Sequence, residues 1–172
     1  VVDDVAAYAE ADWVIEAVFE DLEVKRALYA TIEQHRGGST IVTSNTSTIP
    51  LARLVEGRDA GFVAHFGISH FFNPPRHLPL LEVVAGPATD PSVVERLVAA
   101  GDHQLGKTVL RCRDTPGFLA NRIGNFWMAV AAAEALRGEV DIETADAVMA
   151  RHFGTPRTGV FGLFDLVGVN LV

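Results

Sequence analysis

A histidine and a glutamate that lie twelve residues apart carry the clearest potential for chemistry in this chain. His70 ends an apolar stretch and precedes Phe-Phe-Asn-Pro-Pro at 71–75, where the chain must leave a strand. Glu82 lies between the aliphatic pairs at 80–81 and 83–84, and such a carboxylate is costly to bury unless it has a partner. A neighbouring imidazole would be a suitable partner, because the carboxylate would fix its tautomer and stabilise its charged form. The spacing therefore indicates a candidate general base, and the alternative of an exposed histidine and a half-exposed strand glutamate stays open.

Strands and helices that alternate along the chain must position this pair. Apolar runs predict five strands, at residues 13–18, 40–44, 62–72, 80–84 and 108–112. Helices are predicted from Asp21 to His35, with Val24, Leu28 and Ile32 on one face, and over 50–55 and 91–105. This alternation is typical of an α/β sheet, which binds ligands outside the carboxyl ends of its strands.

The character of the sequence changes at Asp114. Thr115-Pro116-Gly117 predicts the start of a long alanine-rich helix that runs to about Arg137, with Pro116 at its first position. A further helix is predicted from about Asp141. We therefore expect a domain boundary near Arg113, between a sheet domain at 1–113 and a helical domain at 114–172.

Composition excludes several classes of protein. A net charge of -8 argues against a nucleic-acid surface, which needs clustered basic residues. One cysteine, Cys112, excludes an internal disulfide and fits a reducing compartment such as the cytoplasm. No apolar run approaches the roughly 20 residues of a membrane span, and the first residues lack the pattern of a signal peptide. The chain has no initiator methionine and no tail, so we expect a piece cut at both ends.

Six segments occur in an order that resembles the 3-hydroxyacyl-CoA dehydrogenase family over essentially the whole chain. They are Ala-Asp-Trp-Val-Ile-Glu-Ala-Val at 11–18 with Glu20 and Lys25, Ser-Asn-Thr-Ser-Thr at 44–48, His-Phe-Phe-Asn-Pro at 70–74, Leu-Glu-Val at 81–83, Gly106-Lys107, and Asp-Thr-Pro-Gly-Phe-Leu-Ala-Asn-Arg at 114–122. The Asn-Pro-Pro-Arg variant at 73–76 is similar to the dehydrogenase part of fused dehydrogenase/enoyl-CoA hydratase proteins.

The resemblance implies NAD-dependent oxidation of (S)-3-hydroxyacyl-CoA to 3-ketoacyl-CoA in fatty-acid β-oxidation. It implies an α/β fold in which a Rossmann-like sheet, with its first βαβ unit missing, is followed by an all-helical domain that is itself truncated. Residues 1–113 would be the C-terminal part of the NAD-binding domain, and 114–172 the start of a substrate-binding and dimerisation domain that forms a homodimer. The chain has no G-x-G-x-x-G, the pattern that cradles a pyrophosphate, so by itself it is expected to bind NAD weakly and to be inactive.

The resemblance also implies a role for individual residues. His70 matches the catalytic base and Glu82 its carboxylate partner. The substrate-binding matches are Ser47 at the 3-oxygen, Asn73 at the pocket wall and Asn121 from the second domain. The matches on the nicotinamide-ribose side of the cofactor are Ala17, Glu20, Lys25 and Ser47.

Three alternatives compete with this interpretation. Ser47, His70 and Glu82 have the residue types of a hydrolase triad, but the chain has no G-x-S-x-G and the order differs from that of the α/β-hydrolases. A metal site built from His65, His70, His77 and Cys112 fits no standard zinc spacing, and no metal is expected. The third alternative is a folded scaffold or oligomerisation fragment without catalysis of its own.

Overall fold

A computed structural model describes residues 4–152 and 157–168. The chain divides into two compact units, Val1–Phe118 and Leu119–Val172. The boundary predicted from sequence at Arg113 lies shortly before this division. No helix in the part of the chain that the structure describes is both long and apolar enough to cross a membrane.

The first unit is built on a five-stranded sheet. Its strands are β1 (Trp13–Glu16), β2 (Ile41–Ser44), β3 (Phe66–Phe71), β4 (Leu80–Ala85) and β5 (Thr108–Cys112), in the spatial order β1-β2-β3-β4-β5. β1, β2 and β3 are parallel, β4 is antiparallel to β3, and β5 is parallel to β4. The carboxyl ends of β1, β2 and β3 therefore share one edge of the sheet, as the predicted α/β fold requires.

Five α-helices accompany this sheet among the described residues of the first unit. They are α1 (Ala7–Glu10), α2 (Leu22–His35), α3 (Leu51–Leu54), α4 (Ala60–Ala64) and α5 (Pro91–Ala99), and α5 continues into a π-helical turn at Ala100–Gln104. Asp21 begins α2 as predicted, because its side chain accepts a hydrogen bond from the Val24 amide at 2.9 Å.

The buried face of α2 differs from the prediction at two of three positions, where Lys25 and Tyr29 take the places predicted for Val24 and Leu28. Val24 is 47% exposed, and the buried residues are Lys25, Tyr29 and Ile32. Lys25 takes an inward position because the buried carboxylate of Glu16 on β1 compensates its charge, a contribution from another element that apolar periodicity does not detect.

The strand predicted over 62–72 begins later than expected. Asp59 caps a helical turn by accepting from the Phe62 amide at 2.7 Å, so residues 60–64 form α4. Phe62 is fully buried and its ring packs against Tyr29 and Phe66. The cap outweighs the strand preference of the apolar run, and β3 begins at Phe66.

The two faces of the sheet carry separate apolar clusters. The cluster on the face of α2 and α4 includes Tyr29, Val42, Leu54, Phe62, Phe66, Ile68, Val84 and Phe118, whereas the cluster on the face of α5 is formed by Ile41, Leu81, Val83, Val93 and Leu97. Side chains alternate between faces along a strand. His70 therefore shares the first face with Ile68, and Glu82 shares it with Val84.

The second unit contains α6 (Ala120–Arg137), α7 (Ile142–His152) and α8 (Phe161–Val167). The predicted helix start at Pro116 is wrong, because Gly117 and Phe118 have φ angles of 71° and 44° and interrupt the helical path. In contrast, α7 starts where expected, since Asp141 accepts from the Thr144 amide at 2.8 Å.

Candidate active site

His70 and Glu82 are direct partners in the antiparallel ladder between β3 and β4. The imidazole Nδ1 lies 2.8 Å from Glu82 Oε2. Glu82 is fully buried and His70 is 4% exposed, so the alternative of an exposed histidine is wrong. Because Nδ1–H donates to the carboxylate, Nε2 of the neutral ring carries the free lone pair.

The Nε2 atom of His70 lies next to the side chain of Ser47. Their separation is 3.2 Å, and Ser47 lies in the turn that follows β2. Phe72 and Phe118 pack edge-on against the imidazole, with ring centroids at 4.6 and 5.5 Å. These rings hold the imidazole in place, and a substrate hydroxyl would meet both a base and a hydroxyl donor at the same point.

The second oxygen of Glu82 also has a partner. Cys112 Sγ, on β5, lies 3.6 Å from Glu82 Oε1 and donates to it. The alternative metal site would have used Cys112 as a ligand, but within residues 4–152 and 157–168 no group of three or more His, Cys, Asp or Glu side chains is placed to hold a metal ion. In this site the thiol instead helps to orient the carboxylate.

A second buried carboxylate, Glu16 at the end of β1, was missed by the sequence analysis. It accepts from Lys25 Nζ, Ser44 Oγ and the Val18 amide, each at 2.7 Å, and from the Tyr29 hydroxyl. Burial, followed by the hydrogen bond to Glu16, raises the pKa of Tyr29. The available signal was the same as for Glu82, an acidic residue within an apolar strand run.

Glu20 and Lys25 lie beside each other at the carboxyl edge of the parallel strands. Lys25 Nζ is 3.3 Å from Glu20 Oε2, and Lys25 is only 1% exposed, so its ammonium is buried at the start of α2. Burial raises the pKa of Glu20, but the hydrogen bonds from Thr46 and Thr48 and the charge of Lys25 outweigh it and leave the pKa below its usual value.

Glu20 also binds the turn that carries Ser47. Its Oε1 accepts from the amides of Ser47 at 3.0 Å and Thr48 at 3.1 Å, from the Thr48 hydroxyl at 3.0 Å, and from the Thr46 hydroxyl. The structure therefore brings Glu20, Lys25 and Ser47 together.

The remaining predicted site residues are Ala17, Asn73 and Asn121. Ala17 is exposed directly after β1, and Asn73 is exposed in the loop that leaves β3. Asn121 is half-buried in the first turn of α6, in the second unit. Asn45 was not predicted as a site residue, but its Oδ1 accepts from the Phe71 amide at 2.9 Å and ties the end of β2 to the end of β3.

Comparison with protein families decides the classification. Residues 1–115 match the family model for the 3-hydroxyacyl-CoA dehydrogenase NAD-binding domain. The chain belongs to the 3-hydroxyacyl-CoA dehydrogenase family. Residues 117–172 match the model for the C-terminal domain of 3-hydroxyacyl-CoA dehydrogenase. The predicted family and the predicted NAD cofactor are confirmed.

Individual relatives agree with this family assignment. A probable 3-hydroxyacyl-CoA dehydrogenase of Bacillus subtilis (strain 168) is 42% identical over 168 residues, which cover 98% of this chain and 21% of that protein. A putative fatty acid oxidation complex trifunctional enzyme of Rickettsia felis is 41% identical over 98% of this chain and 24% of that protein. The chain therefore spans about a fifth to a quarter of the length of these curated relatives.

Solved structures of dehydrogenases share the fold. The crystal structure of 3-hydroxybutyryl-CoA dehydrogenase from Escherichia coli K12 matches with a TM-score of 0.84 and 37% identity, over 99% of this chain and 35% of that one. The (S)-3-hydroxybutyryl-CoA dehydrogenase PaaH1 from Ralstonia eutropha matches with a TM-score of 0.85 and 28% identity, over 98% and 58% of the two chains. These matches confirm the expected Rossmann-like sheet followed by a helical region.

Proposed function

We propose that this chain supplies the base and the nicotinamide-side residues for NAD-dependent oxidation of (S)-3-hydroxyacyl-CoA to 3-ketoacyl-CoA, a reaction of fatty-acid β-oxidation. The observation that carries the proposal is the buried His70–Glu82 pair at 2.8 Å, with Ser47 Oγ at 3.2 Å from His70 Nε2. Family membership and relatives with fatty-acid-oxidation names support the substrate class.

In this proposal, His70 Nε2 takes the proton of the substrate's 3-hydroxyl group. Glu82 stabilises the imidazolium that results, and burial makes this stabilisation stronger than it would be in water. Ser47 Oγ donates a hydrogen bond to the 3-oxygen as its carbonyl character develops. Asn73 and Asn121 would contribute to the walls of the substrate pocket. When bound, NAD supplies the hydride acceptor.

The carboxyl edge of β1, β2 and β3 fits the nicotinamide-ribose side of NAD. Open α/β sheets bind ligands at this edge, and the three parallel strands lead into Ala17, Ser47 and the loop after His70. Ala17 is exposed and has a methyl side chain, so a ring can approach the backbone there. We propose Ala17, Glu20, Lys25 and Ser47 as the residues around that half of the cofactor.

We further propose a homodimer formed through the helical region, with 1–113 as the cofactor part and 114–172 as the substrate and dimerisation part, in the cytoplasm. The second unit supports the dimer because its large apolar side chains remain uncovered. Ile123, Phe126, Leu136 and Leu166 are 62, 72, 76 and 73% exposed. A cavity of about 390 Å³ also opens between α6 and α7, with Trp127, Val130 and Met149 in its lining.

The test of the proposed function is the variant His70→Gln in the full-length protein. Production of NADH from (S)-3-hydroxybutyryl-CoA should fall at least about a hundredfold, the usual contribution of a general base. His103→Gln is the matched control, because the His103 side chain is 77% exposed. Near-wild-type turnover in His70→Gln would remove His70 from the mechanism.

A further inference from the structure

Glu20 accepts several hydrogen bonds from the short segment that follows β2. Four donors from residues 46–48 converge on its Oε1, and the Lys25 ammonium lies 3.3 Å from its Oε2. A carboxylate offers about four lone-pair sites in all. The Oε1 atom of Glu20 is therefore fully engaged by groups of this chain, whereas Oε2 carries only the Lys25 contact and is the oxygen on which a ligand could approach.

The segment that Glu20 holds carries Ser47. Residues 46–48 follow β2 and lie outside the strand ladder, so regular sheet hydrogen bonds do not fix them. Glu20 accepts from two consecutive backbone amides of this segment, Ser47 at 3.0 Å and Thr48 at 3.1 Å. Since the Ser47 hydroxyl must lie within about 3 Å of His70 Nε2 to share a substrate oxygen, its position depends on this anchor.

The anchor is itself held in place by buried groups. Lys25 is 1% exposed and binds the buried Glu16 carboxylate at 2.7 Å while it contacts Glu20. The contacts thus run from Glu16 through Lys25 and Glu20 to Ser47, and from Ser47 to His70 and Glu82. This series of contacts begins at the buried carboxylate of Glu16 on β1 and ends at the buried carboxylate of Glu82 on β4.

We propose that Glu20 is a positioning residue that holds Ser47 against His70, an inference that rests on the proposed function. Glu20 acts on the reaction through Ser47, whereas direct contact with the nicotinamide ribose would be a separate role. The two roles differ in what a Glu20 variant changes. Loss of an anchor lowers kcat through Ser47, and loss of a cofactor contact raises the KM for NAD.

The first experiment measures anchoring without any assay of activity. Hydrogen exchange at the Ser47 and Thr48 amides is compared in the full-length protein and its Glu20→Ala variant. We expect exchange at the Ser47 amide to be faster by at least about tenfold, because it loses its acceptor, and a smaller acceleration at Thr48, whose amide keeps Thr46 Oγ1 at 3.3 Å. Glu23→Ala is the matched control, since Glu23 is in the same region and its side chain is 82% exposed. Unchanged exchange at both amides would overturn the proposal.

Glu20→Gln keeps the fold testable if the alanine variant is unstable. It retains the side-chain volume and one acceptor oxygen, but its amide group meets the Lys25 ammonium, which is also a donor. Exchange at Ser47 and Thr48 should therefore accelerate in the same direction but by less than in Glu20→Ala. A slower exchange than in the wild type would contradict the anchoring.

The second experiment is a double-mutant cycle in the full-length protein at saturating NAD. Glu20→Ala should lower kcat about tenfold in the wild-type background and less than about twofold in a Ser47→Ala background, whatever its effect on the KM for NAD. Equal losses in both backgrounds, or a raised KM for NAD with kcat unchanged, would overturn the proposal. A wild-type protein without dehydrogenase activity would refute the proposed function instead, and the exchange result would still decide whether Glu20 is an anchor.

Discussion

Replacing Glu82 with glutamine tests how much the buried carboxylate contributes to catalysis. The glutamine side chain has nearly the same shape, and its amide oxygen can still accept from His70 Nδ1, which lies 2.8 Å from Glu82 Oε2. The other amide group would face Cys112 Sγ, a weak acceptor that lies 3.6 Å from Glu82 Oε1. The substitution therefore removes a negative charge and leaves the packing of a fully buried site intact.

The expected loss of rate follows from Coulomb's law. With charge centres about 4 Å apart and an effective dielectric constant of about 20, a full imidazolium and a carboxylate attract by about 4 kcal/mol. If about half of the positive charge has developed in the transition state, the variant loses about 2 kcal/mol, which is roughly a 30-fold loss in kcat. A fully developed charge sets an upper bound of about a thousandfold.

Two measurements separate catalysis from folding in this variant. NADH production by the full-length protein gives kcat, and thermal unfolding gives Tm, which should fall by about 2–4 °C if the poorer partner costs about 1 kcal/mol. Glu95→Gln is the control, because it removes the same charge from a side chain that is 64% exposed and pairs with Arg111. A kcat within twofold of the wild type would show that Glu82 does not stabilise charge on His70.

Three further predictions concern stability and assembly. Glu16→Gln should lower the free energy of unfolding by about 3 kcal/mol, because the buried Lys25 ammonium loses its 2.7 Å partner; a urea titration that shows less than about 1 kcal/mol would contradict this. The pKa of Glu20 lies below its usual value of 4.5, so the folded state binds fewer protons than the unfolded state. The contribution of Glu20 is thus complete above about pH 4.5 and is lost as the pH falls through the lower folded-state value, and Glu20→Gln should flatten the acid side of a Tm-against-pH curve. Sedimentation equilibrium should show a dimer that Phe126→Glu weakens at least about tenfold, and a monomer at all concentrations would refute the proposed interface.

The sequence predicted the His70–Glu82 contact because the physical argument was local and general. A carboxylate within an aliphatic strand requires a partner, and the neighbouring strand offered an imidazole. The same argument applies to Glu16, which also lies in an apolar strand and requires a partner. That partner is Lys25, which faces inward on α2 in place of Val24. Apolar periodicity alone cannot place a lysine inside, because the compensating charge belongs to another element.

The sequence patterns misplaced α4 and the start of α6, because both depend on a local cap or backbone angle. Phe62 lies in α4 because Asp59 caps that turn, and a single side-chain hydrogen bond reversed the preference of an apolar run. The start of α6 depends on the positive φ of Phe118, a conformation that a phenylalanine gives no reason to expect. The place of Asn121 in the first turn of α6 therefore could not be read from Pro116.

The chain reverses direction between β3 and β4, so the histidine and the carboxylate of the proposed catalytic pair lie on two strands that are consecutive in sequence and adjacent in the sheet. Five consecutive cross-strand pairs, from Gly67–Ala85 to Phe71–Leu81, fix the register that joins His70 to Glu82. The connecting loop is exposed throughout 73–79, so its length and composition can vary between proteins without shifting that register. Because both partners lie close together in sequence, the pair also requires little loop-closure entropy to assemble during folding.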